Sequence, residues 1–311
     1  MYSGWDEVRE AMGRFPWGWA PVLLALAFTN YVLRFFKWDY YLRRIGASVP
    51  KGDSFIVFLS GLTMAISPGK IGELLKSVFL RQVSGVPLAR SMPIVVAERL
   101  TDFVALVIIS FLGIGFLAGG DSAMLFAVAG VLAAFILSVS NRRVSLFVIS
   151  LLERAPLVGR LGHRLHTAYE SMASLLAPRP LFAATALSVA AWMCECAGMY
   201  LVVRLFDGGA TLPAASFVYA FGTIVGAVAP GGLGLTDGTL VAMLQNDAVM
   251  SGAPLARGVA GTATMIIRMA TLWFAVLVGG IVLLAFQKRF AGAESMLDAG
   301  EASYQKSGRG R

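Results

Sequence analysis

Residues 54–72 and 216–234 align without gaps at an offset of 162, sharing Ser54/Ser216, Phe55/Phe217, Ala65/Ala227, Pro68/Pro230, Gly69/Gly231 and Gly72/Gly234. Each copy is an apolar run that ends in Pro-Gly, followed by a carboxylate, Glu73 or Asp237. A second echo comes later, Pro-Leu-Ala-Arg at 87–90 and 254–257, and Arg99 and Arg268 follow inside apolar helices. Proline removes a backbone donor and glycine frees the chain to turn. At membrane depth such a break is tolerated only where protein or water satisfies the backbone. A repeated, Pro/Gly-interrupted hydrophobic segment therefore points to the central site of a transporter. A plain proline kink is the simpler alternative for either copy taken alone.

The surroundings of the repeat are those of a membrane protein. The chain is 57% hydrophobic and 14% charged, with a mean hydropathy of +0.73, whereas soluble domains carry about 25% charged residues. Apolar runs near the ~20 residues a bilayer requires lie at 18–36, 92–118, 122–140, 181–205 and 258–287, which predicts five spanning helices. The first arms of the two broken repeats, 54–67 and 214–229, are 14 and 16 residues long. At 1.5 Å per residue the shorter covers about 21 Å, less than a ~30 Å hydrocarbon core. Both arms are expected to enter the membrane and turn back.

Arg34, Lys37, Arg43, Arg44 and Lys51 follow the first run, while Arg9 and Arg14 precede it, so the positive-inside rule puts the amino terminus outside. Arg142, Arg143, Arg154, Arg160, Arg164 and Arg179 place the central connection in the cytoplasm, and Lys288 and Arg289 hold the carboxyl end there. With five crossings the two repeats become inverted. The expected organisation is an all-α polytopic membrane domain, 1–290, with an inverted repeat and two Pro-Gly-tipped re-entrant hairpins. Repeat one covers about 17–119, a connector about 120–179, and repeat two about 180–288; a disordered cytoplasmic tail covers 291–311. Within the connector, 144–178 reads as an amphipathic helix on the membrane surface, with a short sixth crossing as the alternative. Residues 1–16 lack an apolar core, so no cleavable signal is expected.

Charged residues inside apolar segments cost about 2.5–3.5 kcal/mol each against lipid and should face protein or water. Lys70 and Glu73 can pair along the first return arm with Lys76 one turn on, and Asp237 is the counterpart in the second. Glu98, Arg99 and Asp102 form the densest charge cluster in a spanning helix, and Arg268 is similarly deep. Two guanidiniums reaching inward suit a phosphate or carboxylate passed between them. The alternative is structural: ion pairs from Glu73 to Arg99 and from Asp237 to Arg268 that hold hairpin to helix. Return-arm N–H groups beyond Gly69 and Gly231 add a further anion site. The candidate substrate-binding set is therefore Pro68, Gly69, Lys70, Gly72, Glu73, Glu98, Arg99, Asp102, Pro230, Gly231, Gly232, Gly234, Asp237 and Arg268. Glu195, alone in mid-helix, is a candidate proton-coupling carboxylate or a protonated structural one.

Other chemistries find little support. His163, His166 and Glu170 can share a helix face but sit among arginines with no cysteine, so no metal site is assigned. Cys194 and Cys196 point to different faces of one helix. The net charge of +8 lies mainly in loops and carries no interleaved aromatic stripe, so no nucleic-acid partner is expected. Neither a nucleotide loop nor a nucleophile elbow occurs, and no cofactor is expected.

The segments Ser67-Pro68-Gly69-Lys70-Ile71-Gly72-Glu73, Glu98-Arg99-Leu100-Thr101-Asp102 and Ala229-Pro230-Gly231-Gly232-Leu233-Gly234 resemble signatures of the lysylphosphatidylglycerol synthase transmembrane-region family, flippase-like integral membrane proteins. The likeness runs from about Trp19 to Phe286. It implies a lipid translocator of the cytoplasmic membrane, or a membrane helper of lipid or glycolipid assembly. Bifunctional members carry a soluble aminoacyl-transfer domain that this sequence lacks, so synthase activity is not implied. The second signature more often ends in Glu where this chain has Asp237.

The leading expectation is a non-enzymatic flippase-like transporter of a lipid, or lipid-linked intermediate, with a polar or anionic headgroup. Lys70 and Glu73 would gate the cytoplasmic side and Asp237 the outer side. Two alternatives stay open: a noncatalytic partner of a lipid-modifying or glycolipid-assembly enzyme, and a lipid-linked transferase using Glu98 or Asp102 as base.

Overall fold

The computed structural model describes residues 3–67, 72–117 and 170–287, and among these there is helix but no strand. Among the described residues four helices are long and apolar enough to cross a membrane: Trp17–Arg44, Leu88–Leu117, Pro178–Leu205 and Arg257–Ala285. They coincide with four of the five runs expected from hydropathy. The fifth run, 122–140, the connector as far as residue 169 with its histidines, and the tail after 287 lie outside the described residues, as do Pro68, Gly69 and Lys70 at the first tip.

Numbered along the described chain, the helices are α1 (Ser3–Arg14), α2 (Ala20–Arg44), α3 (Lys51–Gly61), α4 (Leu75–Ser84), α5 (Leu88–Leu117), α6 (Pro178–Leu205), α7 (Leu212–Val225), α8 (Leu235–Leu244) and α9 (Arg257–Ala285). One series of elements occurs twice. A long helix (α2, α6) leads to a short one (α3, α7), a 3-10 segment (Leu62–Ile66, Gly226–Val228), a short return helix (α4, α8) and a second long helix (α5, α9). The return helices have ten residues each, about 15 Å at helical rise, too short to span alone. Each packs back on its first arm, α4 on α3 and α8 on α7.

The local sequence explains both breaks. In the second copy Gly231, Gly232 and Gly234 have φ of 57°, 72° and 79°, backbone that L side chains rarely adopt. The run Pro-Gly-Gly-Leu-Gly is thus the one a left-handed turn between two helices requires. In the first copy Gly72 serves by close approach: a Cβ there would lie 2.7 Å from Met64 Cβ, and its N–H donates to Ser67 Oγ at 2.8 Å. The two breaks touch each other, since a Cβ on Gly231 would come within 3.1 Å of Ile66 Cγ1.

Packing follows membrane rather than soluble rules. Leu112, Phe116, Phe182, Leu277, Ile281 and Leu284 point outward from the long helices, while Lys37, Glu73, Lys76 and Glu98 are buried. Without a hydrophobic drive in lipid, small residues and interhelical hydrogen bonds bring helices together. Gly113 of α5 lets α7 approach so closely that a Cβ would meet the Pro213 carbonyl at 2.6 Å. Asn30 Nδ2 donates to the Ala191 carbonyl at 2.8 Å, tying α2 to α6, and Trp38 Nε1 donates to Ser54 Oγ at 3.2 Å, tying α2 to α3.

Two sequence expectations change here. Arg34 and Lys37, taken above as loop charges beyond the first span, lie within α2 and are buried. The helix runs on because Trp38, Tyr40, Tyr41 and Leu42 extend its apolar face to Arg44; only Arg43, Arg44 and Lys51 remain as flanking positive charge. Residues 3–14, given no element above, form α1, which packs against the start of α9.

Candidate functional site

The charges of the first repeat converge. From α2, Lys37 Nζ donates to Asp102 Oδ1 at 2.5 Å and to Ser188 Oγ of α6 at 2.7 Å. From α4, Lys76 Nζ donates to Glu98 Oε2 at 2.6 Å and lies 3.4 Å from Glu73 Oε2. Its ammonium also sits 5.0 Å from the Trp38 ring centre and 5.4 Å from that of Phe58, a cation–π setting that further stabilises a desolvated charge. Arg99 spans Glu73 Oε2 at 3.1 Å and Asp102 Oδ2 at 3.0 Å. Arg34 stands 3.8 Å from Glu73 and 3.6 Å from Asp102. Four cations thus share three carboxylates across α2, α4 and α5, with Glu73 just ahead of α4.

The second repeat has a simpler version. Arg268 Nε lies 2.9 Å from Asp237 Oδ1, and its guanidinium donates to the Gly231 carbonyl. Asp237 Oδ2 in turn accepts the Gly234 N–H at 3.0 Å, so the carboxylate caps the return helix itself. Both ion pairs weighed from the sequence, Glu73 with Arg99 and Asp237 with Arg268, are present.

Between the two systems lies a cavity of about 290 Å³. Its wall draws Arg34, Arg99 and Asp102 from the first half, and Glu195, Tyr219, Arg268 and Thr271 from the second, with Gly231 and Gly232 at the broken turn. Apolar groups, including Leu62, Phe103, Leu106, Trp192 and Leu272, make up much of the remainder. This is close to the lower end of the ~300–1,000 Å³ usual for small-molecule sites. It has room for a polar headgroup and not for two acyl chains. Arg99 is the more exposed of the two arginines from the first half, its side chain 23% accessible against 8% for Arg34.

Glu195, of α6, accepts a 2.6 Å hydrogen bond from the Tyr219 hydroxyl of α7. The same hydroxyl is 3.3 Å from Thr271 Oγ1, and the Thr271 carbonyl accepts from Tyr31 of α2 at 2.8 Å. Thr271 belongs to a π-helical turn, Met269–Trp273, directly after Arg268. Such turns leave the regular ladder and often occur at functional sites.

Of the residues singled out from sequence, the structure gathers Arg99, Asp102, Glu195, Gly231, Gly232 and Arg268 on the cavity wall. Glu73 and Asp237 stand behind it as their ion-pair partners, Glu98 is sequestered with Lys76, and Gly72 and Gly234 shape the turns. Pro230 begins the second break and is exposed. Sequence reading missed Tyr31, Arg34, Lys37, Trp192 and Tyr219. A signal existed for the first three: they recur at i, i+3 and i+6 in one apolar run, which puts polar groups along one helix side. Among the described residues no group of His, Cys, Asp and Glu is arranged to hold a metal.

Residues 1–279 match the family model of the lysylphosphatidylglycerol synthase TM region, and the chain belongs to that family. A UPF0104 membrane protein of Methanothermobacter thermautotrophicus is 21% identical over 299 residues, covering 88% of this chain and 87% of the relative. The family is a membrane region of lipid-related proteins, and the chain is a multi-pass membrane protein.

Proposed function

We propose that this protein is a flippase-like transporter that moves a polar-headgroup lipid, or a lipid-linked intermediate, across the cytoplasmic membrane of a prokaryote. The observation that carries the reading is the cavity between two similarly broken halves, with Arg99 entering its wall from one and Arg268 from the other. In this reading the two five-element series are inverted units, their hairpins are re-entrant, and the carboxyl end is cytoplasmic. The headgroup occupies the cavity while the acyl chains stay in the bilayer, as the size of the cavity favours. Rocking of the units about the touching breaks exposes the site to each side in turn. Each arginine is held by a carboxylate, Glu73 and Asp102 for Arg99, Asp237 for Arg268. A headgroup phosphate can displace part of that pairing, because guanidinium donates bidentately to phosphate as well as to carboxylate. Lys70 and Glu73 gate the cytoplasmic side and Asp237 the outer side. No enzymatic step is assigned. Glu98 and Asp102, the carboxylates available to a transferase, are each engaged by a lysine at 2.6 Å or less.

The test is lipid movement in vesicles reconstituted with purified protein, read by chemical quenching of a headgroup-labelled phospholipid in the outer leaflet. Arg99→Ala and Arg268→Ala, each verified as folded, are expected to slow movement at least about tenfold, one lost charge-assisted contact being worth about 1.5–3 kcal/mol. Unchanged rates in both variants would overturn the proposal.

A further inference from the structure

The charges around the cavity balance in a way that bears on how a lipid anion is admitted. The web of the first repeat holds four cations and three carboxylates, and Arg268 with Asp237 adds one of each. Glu195 is the fifth carboxylate, so the described set is neutral when all ten groups are ionised. A phosphodiester headgroup brings one negative charge into that neutral set. Burial of an uncompensated charge is expensive, and the cavity compensates it if one carboxylate on its wall takes a proton.

Glu195 is the carboxylate built for this. Asp102, the other one on the wall, is held by Lys37 at 2.5 Å and by Arg99 at 3.0 Å. Glu195 accepts from a hydroxyl that has a second acceptor ready. With Glu195 ionised, Tyr219 donates to Oε2 at 2.6 Å. With Glu195 protonated, its new O–H donates to the Tyr219 oxygen, and the Tyr219 hydroxyl turns to Thr271 Oγ1 at 3.3 Å. Thr271 can accept because its own hydroxyl donates to the Ile267 carbonyl at 2.8 Å. The buried chain therefore satisfies its donors in both protonation states. The remaining titratable and charged groups on the surrounding walls are Tyr31 and Arg34 from α2, Arg99 from α5 and Arg268 from α9, with Cys194 and Cys196 adjoining Glu195 on α6.

We propose that Glu195 takes up one proton for each monoanionic lipid phosphodiester admitted, so that lipid and proton cross together without net charge. This rests on the transporter reading above. The proton is taken by a Glu195 carboxylate oxygen from one side and released to the other when the headgroup leaves.

The test uses the full-length protein in phosphatidylcholine vesicles containing a trace of fluorescent phosphatidylglycerol, with the potential clamped by valinomycin and potassium. A pH gradient is expected to accumulate the label in the leaflet facing the alkaline side, up to about tenfold per pH unit for one proton per lipid. Clamping the potential at different values should leave that ratio unchanged. Lumenal pyranine should also report proton movement driven by a lipid asymmetry, at about one proton per lipid. Glu195→Gln should abolish gradient-driven accumulation, and Tyr219→Phe should reduce it. Wild-type protein that moves the label but ignores the gradient and moves no protons overturns the coupling while leaving the transporter reading intact. A Glu195→Gln variant that accumulates label as the wild type does also overturns it. Wild-type protein that moves no lipid with or without a gradient overturns the transporter reading itself. Uptake of water-soluble glycerophosphoglycerol at a matching rate would overturn the assignment to a lipid.

Discussion

Lys37 and Asp102 are joined across two long helices by a 2.5 Å ion pair, with the Lys37 side chain fully buried and Asp102 nearly so. Lys37 is the linchpin of the web, because its ammonium also reaches Ser188 of α6 and so ties three helices. Removing one partner of such a pair strands the other charge. Lys37→Met is expected to destabilise the folded protein by about 3–5 kcal/mol, seen as a large drop in thermal unfolding temperature in detergent. Adding Asp102→Leu should recover most of the loss in fold. A single variant as stable as the wild type would mean that Asp102 finds full compensation from Arg34 and Arg99.

Gly226 marks the closest approach of the second hairpin's arms. A Cβ there would fall 1.8 Å from Thr236 Oγ1 and 3.0 Å from Thr236 Cβ. Gly226→Ala should cost about 1–3 kcal/mol through overpacking and lower the yield of monodisperse protein. Thr236→Gly in the same chain should restore part of it, whereas Thr236→Ser should not.

Contact between the two breaks can be trapped. Ile66→Cys with Gly231→Cys, in a background with Cys194 and Cys196 replaced and verified as folded because Gly231 holds a φ of 57°, should form a disulfide under mild oxidation, since a Cβ on Gly231 would lie 3.4 Å from Ile66 Cα. If the halves must part for the headgroup to pass, oxidation stops lipid movement and a reductant restores it. Full movement in the cross-linked protein would show that the breaks stay together throughout.

Hairpin topology is open to accessibility mapping. Single cysteines on either side of Gly69 and Gly231, in the same background, should each label from one face of the membrane only, and opposite faces for the two hairpins. Labelling of both flanks of one hairpin from opposite faces would mean that it crosses fully.

Much of this arrangement could be read from the residues alone, and the reason lies in the medium. Lipid forces long apolar helices, so four spans were visible in hydropathy, and the Pro-Gly repeats marked both breaks because only unusual backbone needs such residues. Arg99, Asp102 and Arg268 stood out as charges in apolar surroundings. Arg34 and Lys37 escaped because they lie near the end of an apolar run, where a buried cation and a cytoplasmic flanking one look alike in sequence. Tyr219 escaped for a different reason: a tyrosine in an apolar helix is unremarkable until its hydroxyl is seen 2.6 Å from Glu195. Partners separated by 24 residues on different helices leave no periodic trace.

The interhelical web also dictates an order of birth. A ribosome makes Lys37 65 residues before Asp102 and 61 before Glu98, so α2 emerges with two buried-to-be cations and none of their carboxylates. An unpaired cation within a spanning helix is costly, and α2 is poorly suited to release into lipid by itself. Lys37 meets Asp102 only once α5 has been made, so firm insertion of α2 is expected to depend on α5.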